Sequence, residues 1–157
     1  MAGSTATSSR PAPKAATRAR FRSAEELREV LDAGLAAVDA DERSGPLLRA
    51  AELRLRLACP DLGVTVNVAA AQDPDHHLEW SFSGRGAPKQ KLELRMDSEI
   101  ANAWLQGKVS VPIAIARGEI KCSGDARCAL LYLPAAKLFI DPYRRLLRER
   151  YPHLLLD

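Results

Sequence analysis

Four short segments of this chain alternate apolar and polar residues with a period of two. Leu53, Leu55 and Leu57 are spaced by Arg54 and Arg56, and Val64, Val66 and Val68 by Thr65 and Asn67. Leu78, Trp80 and Phe82 are spaced by Glu79 and Ser81, and Leu92, Leu94 and Met96 by Glu93 and Arg95. Successive side chains of a strand point to opposite faces, so each segment specifies a strand with one apolar and one wet face. Turn formers separate them: Cys59-Pro60-Asp61-Leu62-Gly63, Gln72-Asp73-Pro74-Asp75, and the stretch 84–88. The short links predict an antiparallel meander for the first three strands.

Helical patterns flank these strands. Ser23 and Glu26 form a capping box, and Leu27, Val30, Leu31, Gly34, Leu35 and Val38 recur at helical spacing over residues 24–38. Gly45-Pro46 is expected to break the chain, with a short helical turn over 47–51. Asp97 reads as the N-cap of a helix whose apolar stripe is Ile100, Ala101, Trp104 and Leu105, ending at Gly107. Beyond Gly124 the chain is helical by composition, with Pro134 as an interruption. Asp141-Pro142 is the expected start of a last helix, Asp141 being its N-cap.

The segment Leu105–Asp125 joins the two halves. Gly107, Gly118 and Gly124 punctuate it, Val109, Val111, Ile113, Ala114 and Ile115 lie between the first two, and Ile120 and Cys122 alternate with polar residues as a fifth strand, 119–123. With Gly107-Lys108, Ala114, Gly118, Ile120, Cys122 and Gly124-Asp125, this segment resembles the sterol carrier protein 2 family of lipid-binding domains, as a stand-alone bacterial member. The resemblance covers roughly residues 24–150. It is closest from Lys91 onward, holds only in outline over Ala40–Ala58, and leaves Asp73–His77 as a loop of this chain's own. It implies an α+β fold: a five-stranded, mostly antiparallel sheet with helices covering one face and an apolar tunnel between the two layers. The expected organisation is a disordered basic N-terminal tail over 1–22, a lipid-binding domain over 23–151 and a C-terminal tail over 152–157. The last residues, Leu154-Leu155-Leu156-Asp157, lack the peroxisomal tripeptide of eukaryotic relatives.

Composition narrows the function. Hydrophobic residues make up 46% but aromatics only 5%, fewer than base-stacking nucleic-acid binders usually carry. The net charge of +3 is concentrated at the start: Arg10, Lys14, Arg18, Arg20 and Arg22 stand without an acid in residues 1–24, leaving 18 basic against 20 acidic groups elsewhere. The domain is therefore not a polyanion binder by charge, and no nucleic acid is expected as a partner. The Arg-rich, acid-free start is also the composition of an organelle transit peptide. Cys59, Cys122 and Cys128 are odd in number and lack a C-x-x-C spacing, so they read as small apolar groups. The adjacent His76 and His77 would point apart in a strand, and they read as loop or edge residues, like His153 near the end. No metal or cofactor is expected. No apolar stretch reaches the length of a membrane span, and no secretory core opens the chain, so a cytoplasmic location is expected.

The resemblance implies a non-catalytic carrier for a sterol, a fatty acyl chain or a similar lipid. The elements flanking the expected tunnel supply its lining: Phe82, Leu94 and Met96 as floor, Trp104, Leu105, Ile113 and Ile115 as wall, and Leu130, Leu131, Leu133, Leu138 and Phe139 as closure. Each could equally be ordinary core. The alternative is an enzyme of steroid or polyketide tailoring that uses the same tunnel. It would need an inward polar group, and Asp97, Glu119, Tyr132 and His77 are the nearest to hand. A groove that takes a partner's helix is a third reading. Arg144, Arg145, Arg148 and Arg150 give the last helix a basic face, either simply solvated or able to touch an anionic membrane transiently.

Overall fold

The computed structural model describes residues 19–82 and 90–157. The expected turn at 84–88 and most of the expected tail, residues 1–18, lie outside the described residues. Ser23 caps helix α1 (Ala24–Ala40): its side chain accepts from the Glu26 amide at 3.1 Å, while the Glu26 carboxylate reaches back to the Arg22 amide at 2.8 Å. Phe21, assigned from the sequence to the tail, is buried in the core ahead of this cap.

Gly45-Pro46 does not break the chain. It forms the first turn of α2 (Ser44–Ala50). Proline is tolerated there because first-turn amides have no partner within the helix. The Asp41 carboxylate stands in as cap, accepting from the amides of Arg43 and Ser44 at 3.1 and 2.7 Å.

Five strands follow: β1 (Arg54–Cys59), β2 (Val64–Ala70), β3 (Leu78–Ser81), β4 (Leu92–Met96) and, later, β5 (Ile120–Gly124). Their order is β3-β2-β1-β4-β5, with β1 and β4 parallel and the other three pairings antiparallel. The sheet is thus mixed. The first three strands are the expected meander, and the chain crosses over to place β4 on the far side of β1. Register puts the apolar residues in rows across one face. Trp80, Val68, Leu55 and Leu92 form one row, and Val66, Leu57, Leu94 and Cys122 the next. The other face carries Arg56, Asn67 and Glu93, with Arg56 Nε donating to Asn67 Oδ1 at 2.9 Å.

Helices cover the apolar face. α3 (Ser98–Leu105) has Asp97 at its N-cap as expected, but the capping side chain is Asp61, which accepts from the Ser98 amide at 2.9 Å and its hydroxyl at 2.7 Å. α4 (Val111–Ala116) leads into β5, and α5 (Ala126–Ala135) leaves it. Pro134 does not stop α5, which passes into a 3-10 turn (Ala136–Phe139) and then α6 (Ile140–Arg150). Asp141 therefore sits inside the first turn of α6, not at its cap.

All three glycines of the central segment take positive φ, and Gly124 is the tightest. A Cβ there would lie 2.4 Å from the Lys91 carbonyl oxygen, where β5 crosses the start of β4. Only glycine fits that approach.

The segment 152–157, expected as a tail, is packed. Leu154 is fully buried, and its carbonyl accepts from Asn102 Nδ2 at 2.9 Å and Gln106 Nε2 at 3.0 Å. Leu156 donates its amide to Gln106 Oε1 at 2.8 Å, and its carbonyl accepts from Arg144 Nη1 at 2.9 Å. Tyr143 completes this buried polar cluster, donating its hydroxyl to Asn102 Oδ1 at 2.7 Å.

Candidate functional site

The helices do not fill the space above the sheet completely. An apolar cavity of about 40 Å³ lies between them. β1 and β2 form its floor through Leu55, Leu57, Val66 and Val68, and α1 and α2 supply Leu31, Leu35 and Leu48. Trp104, Leu105, Tyr132, Ala136, Phe139 and Tyr143 close it. A void of this size holds roughly three water-sized spheres, and an apolar one stays dry.

A second hollow opens to the surface beside it, a groove of about 520 Å³ between α4 and α5. Val109, Val111 and Pro112 form one bank, and Ala129, Leu130, Leu133 and Pro134 the other, with Ile140 and Lys137 at one end. Its volume falls within the roughly 300–1,000 Å³ of small-molecule sites, whereas the inner cavity is far below it. The two hollows share just two lining residues, Trp104 and Ala136.

The sequence-expected lining divides accordingly. Trp104, Leu105 and Phe139 border the inner cavity, and Leu130 and Leu133 border the groove. Leu94 and Met96 are buried, while Phe82 and Leu138 pack half-buried against the core. None of these four borders the cavity or the groove, because the cavity lies over β1 and β2 rather than over β4; Met96 borders a separate, more polar surface pocket of about 810 Å³. Ile113 and Ile115, expected in the wall, and Leu131, expected in the closure, are exposed on the outer surface. The α1 and β1–β2 residues that do line the void carry the same periodicity as packed core, so no sequence signal separated them from it.

Polar groups are few here. Of the four expected as polar candidates, Asp97 and Glu119 are exposed and line one polar surface pocket away from both apolar hollows, and His77 packs on Gly45. Tyr132 turns inward, but its hydroxyl donates to the Glu52 carbonyl at 3.0 Å, and burial pushes its pKa up. The Tyr143 hydroxyl is likewise raised by burial and held by Asn102. Burial, with Asp61 and Asp97 adding, pushes the Cys59 thiol to about 12, so it behaves as a small apolar group. Among the described residues no cluster of His, Cys, Asp or Glu could hold a metal ion, and no helix is long and apolar enough to cross a membrane.

No family model matches the chain, and no curated protein is similar to it. Solved structures are. The UbiJ-SCP2 ubiquinone synthesis protein superposes on 76% of this chain and 95% of its own, with a TM-score of 0.54 at 10% identity. The chain has the sterol carrier protein 2 fold. The same fold recurs in TT1886 of Thermus thermophilus, a conserved hypothetical protein and candidate sterol carrier protein, over 75% of this chain and 86% of that one (TM-score 0.51, 17% identity). The inverting sec-alkylsulfatase Pisa1 from Pseudomonas sp. is similar over 64% of this chain, at 18% identity and a TM-score of 0.49, and this chain spans 15% of that enzyme's length. Within this fold the inner cavity lies between sheet and helices, whereas the groove is lined by helix and loop residues alone.

One feature of the fold's edge responds to pH. The Asp39 carboxylate, at the end of α1, accepts from His76 Nδ1 at 2.9 Å and from the amides of His77 and Leu78 at 2.6 and 2.9 Å, clasping the β2–β3 loop. Burial pushes the Asp39 carboxyl up, but the bonds from His76, Leu78 and His77 outweigh it and hold it below its ordinary value. The hydrogen bond to Asp39 raises His76. The carboxylate's contribution is therefore lost as pH falls below about 4, and the imidazolium's as pH rises past its own raised value, above about 6.5. In an NMR titration His76 is expected to titrate above 6.5, and Asp39→Asn to return it to the ordinary range. An unshifted His76 in the wild type would contradict the clasp.

Proposed function

We propose that this chain is a non-catalytic carrier of an apolar small molecule, a sterol, a fatty acyl chain or a similar lipid, acting in the cytoplasm. The observation that carries the reading is the pairing of an apolar inner cavity with an apolar surface groove, which share only Trp104 and Ala136. A ligand seated in the groove extends inward when α5 and the 3-10 turn shift and Trp104 rotates. Covering roughly 400 Å² of lipid at about 25 cal/mol per Å² gives around 10 kcal/mol gross, and association costs reduce this to an affinity on the order of micromolar. The description of one neighbour of the fold, TT1886, as a candidate sterol carrier protein supports the same ligand class.

The basic face of α6 supports a transient contact with anionic lipid through Arg145 and Arg148, which are exposed. Arg144 is not available for it, being tied to Gln106 Oε1 and the Leu156 carbonyl. The tailoring-enzyme reading would rest on Tyr132, whose hydroxyl is engaged by backbone.

Native mass spectrometry after gentle purification is expected to show a bound hydrophobic molecule. Ala136→Phe, placing a ring at the junction of the two hollows, is expected to weaken displacement of a fluorescent fatty acid about tenfold or more while leaving the fold intact. A protein that is empty by mass and takes up no fatty acid would end this reading.

A further inference from the structure

The apolar surface beside the groove is itself unusual. Leu130 is 80% exposed, Ile113 and Leu131 are each 54% exposed, and Ile115 is 39% exposed. Isolated apolar residues on a surface mean little, but four large ones on two short helices packed against the same edge strand, β5, form a patch. The packing explains why they face out. α4 buries Val111 and Ala114, and α5 buries Tyr132 and packs Cys128, Ala129, Leu133 and Ala135 half-buried against the core, which leaves Ile113, Ile115, Leu130 and Leu131 on the outer side.

The charges around this patch have one prevailing sign. Lys108 precedes α4 and Arg117 caps its end, Arg127 lies in the first turn of α5, and Lys137 follows its last. All four are exposed, and none is in an ion pair among the described residues. The acidic groups nearby are Glu119, Asp125 and Asp141; Asp125 is occupied in capping α5 through the Arg127 amide at 2.9 Å, and the exposed Asp141 stands four residues after Lys137.

We propose that the outer face of α4 and α5 docks onto an anionic lipid bilayer. Aliphatic side chains at the centre enter the boundary between headgroups and acyl chains, while the basic rim stays among the phosphates, the arrangement by which interfacial helices bind membranes. Phosphates complement four cations that form no ion pair among the described residues, whereas a second copy of the chain would bring the same rim against itself, like charge to like. Leu130 also lines the groove, so the groove's mouth opens within the docked face. A lipid leaving the bilayer would then pass into the groove without crossing water. That consequence rests on the carrier reading, whereas docking alone does not.

The test is flotation with phosphatidylcholine vesicles, with and without phosphatidylglycerol, on wild-type protein and three variants. The wild type is expected to float with the anionic vesicles, less so as salt rises. Ile113→Ser with Leu131→Ser, two exposed positions outside both hollows, is expected to lower the bound fraction about tenfold or more with fatty-acid uptake unchanged. Arg117→Glu with Arg127→Glu is expected to abolish the preference for anionic vesicles. Arg145→Glu with Arg148→Glu, on α6, should cost less than the apolar pair.

Wild-type protein that ignores both vesicle types would overturn the proposal. So would an apolar-pair variant that floats like the wild type, loss of flotation only on changing α6, or a wild-type dimer that the apolar pair dissociates. Protein that docks but takes up no fatty acid would sink the carrier reading and leave this one standing, and uptake without docking would do the reverse.

Discussion

Asn102→Leu is expected to destabilise the protein by about 3 kcal/mol in urea unfolding. Asn102 is completely buried, and its amide is shared by three elements. Its oxygen accepts from the Tyr143 hydroxyl at 2.7 Å and from Gln106 Nε2 at 3.0 Å, and its nitrogen donates to the Leu154 carbonyl at 2.9 Å. Leucine fills a similar space but leaves the Tyr143 hydroxyl buried without a partner, and desolvation of such a group costs roughly 1–3 kcal/mol. The Leu154 carbonyl keeps Gln106 as a donor, so its loss is smaller.

Adding Tyr143→Phe to the leucine variant removes the orphaned hydroxyl. The pair should therefore cost less than the sum of its members. Strict additivity would mean that the hydroxyl and the amide do not depend on each other.

Gly124→Ala is expected to cost about 3–5 kcal/mol, enough to leave little folded protein. Two penalties combine. The residue sits at φ +119°, and the new methyl would meet the Lys91 carbonyl oxygen at 2.4 Å and the Leu92 Cα at 3.1 Å. Both obstacles are backbone of β4 and the residue before it, and cannot swing aside. Gly118→Ala is the control: φ is +78°, nothing lies within 4 Å of its Cβ position, and only the left-handed backbone penalty of about 1–2 kcal/mol applies. Similar losses from the two substitutions would show that the β4–β5 crossing is looser than described.

Much of this architecture was readable in advance, for physical reasons. Period-two alternation fixes which face of each strand is buried, and the short link between β1 and β2 makes them antiparallel neighbours. The capping box at Ser23 and the glycine after α3 are local devices, legible because their partners lie within a few residues. What escaped was nonlocal. Asp61 caps α3 from 37 residues away, and nothing near Asp97 in sequence announces it. The strap at Leu154 depends on Asn102 and Gln106, ordinary polar residues until the fold buries them.

The candidate site was the hardest part to read. In α5 the run Leu130-Leu131-Tyr132-Leu133 is apolar on every side, so periodicity cannot choose the inward face, and the structure chose Tyr132. The location of a void is harder still. It is the residue of imperfect packing between layers, and side chains on either side of it look the same in sequence as those that meet.

Trp104 offers the most direct test of whether a guest enters. The protein has two tryptophans, so Trp80→Phe leaves Trp104 as the sole indole, placed between the groove and the cavity. Titration with a fatty acid brominated along its chain is expected to quench that fluorescence saturably, with a midpoint on the order of micromolar. Quenching that is absent, or that rises linearly without saturating, would mean that nothing greasy reaches the indole and that the two hollows are only flaws in packing.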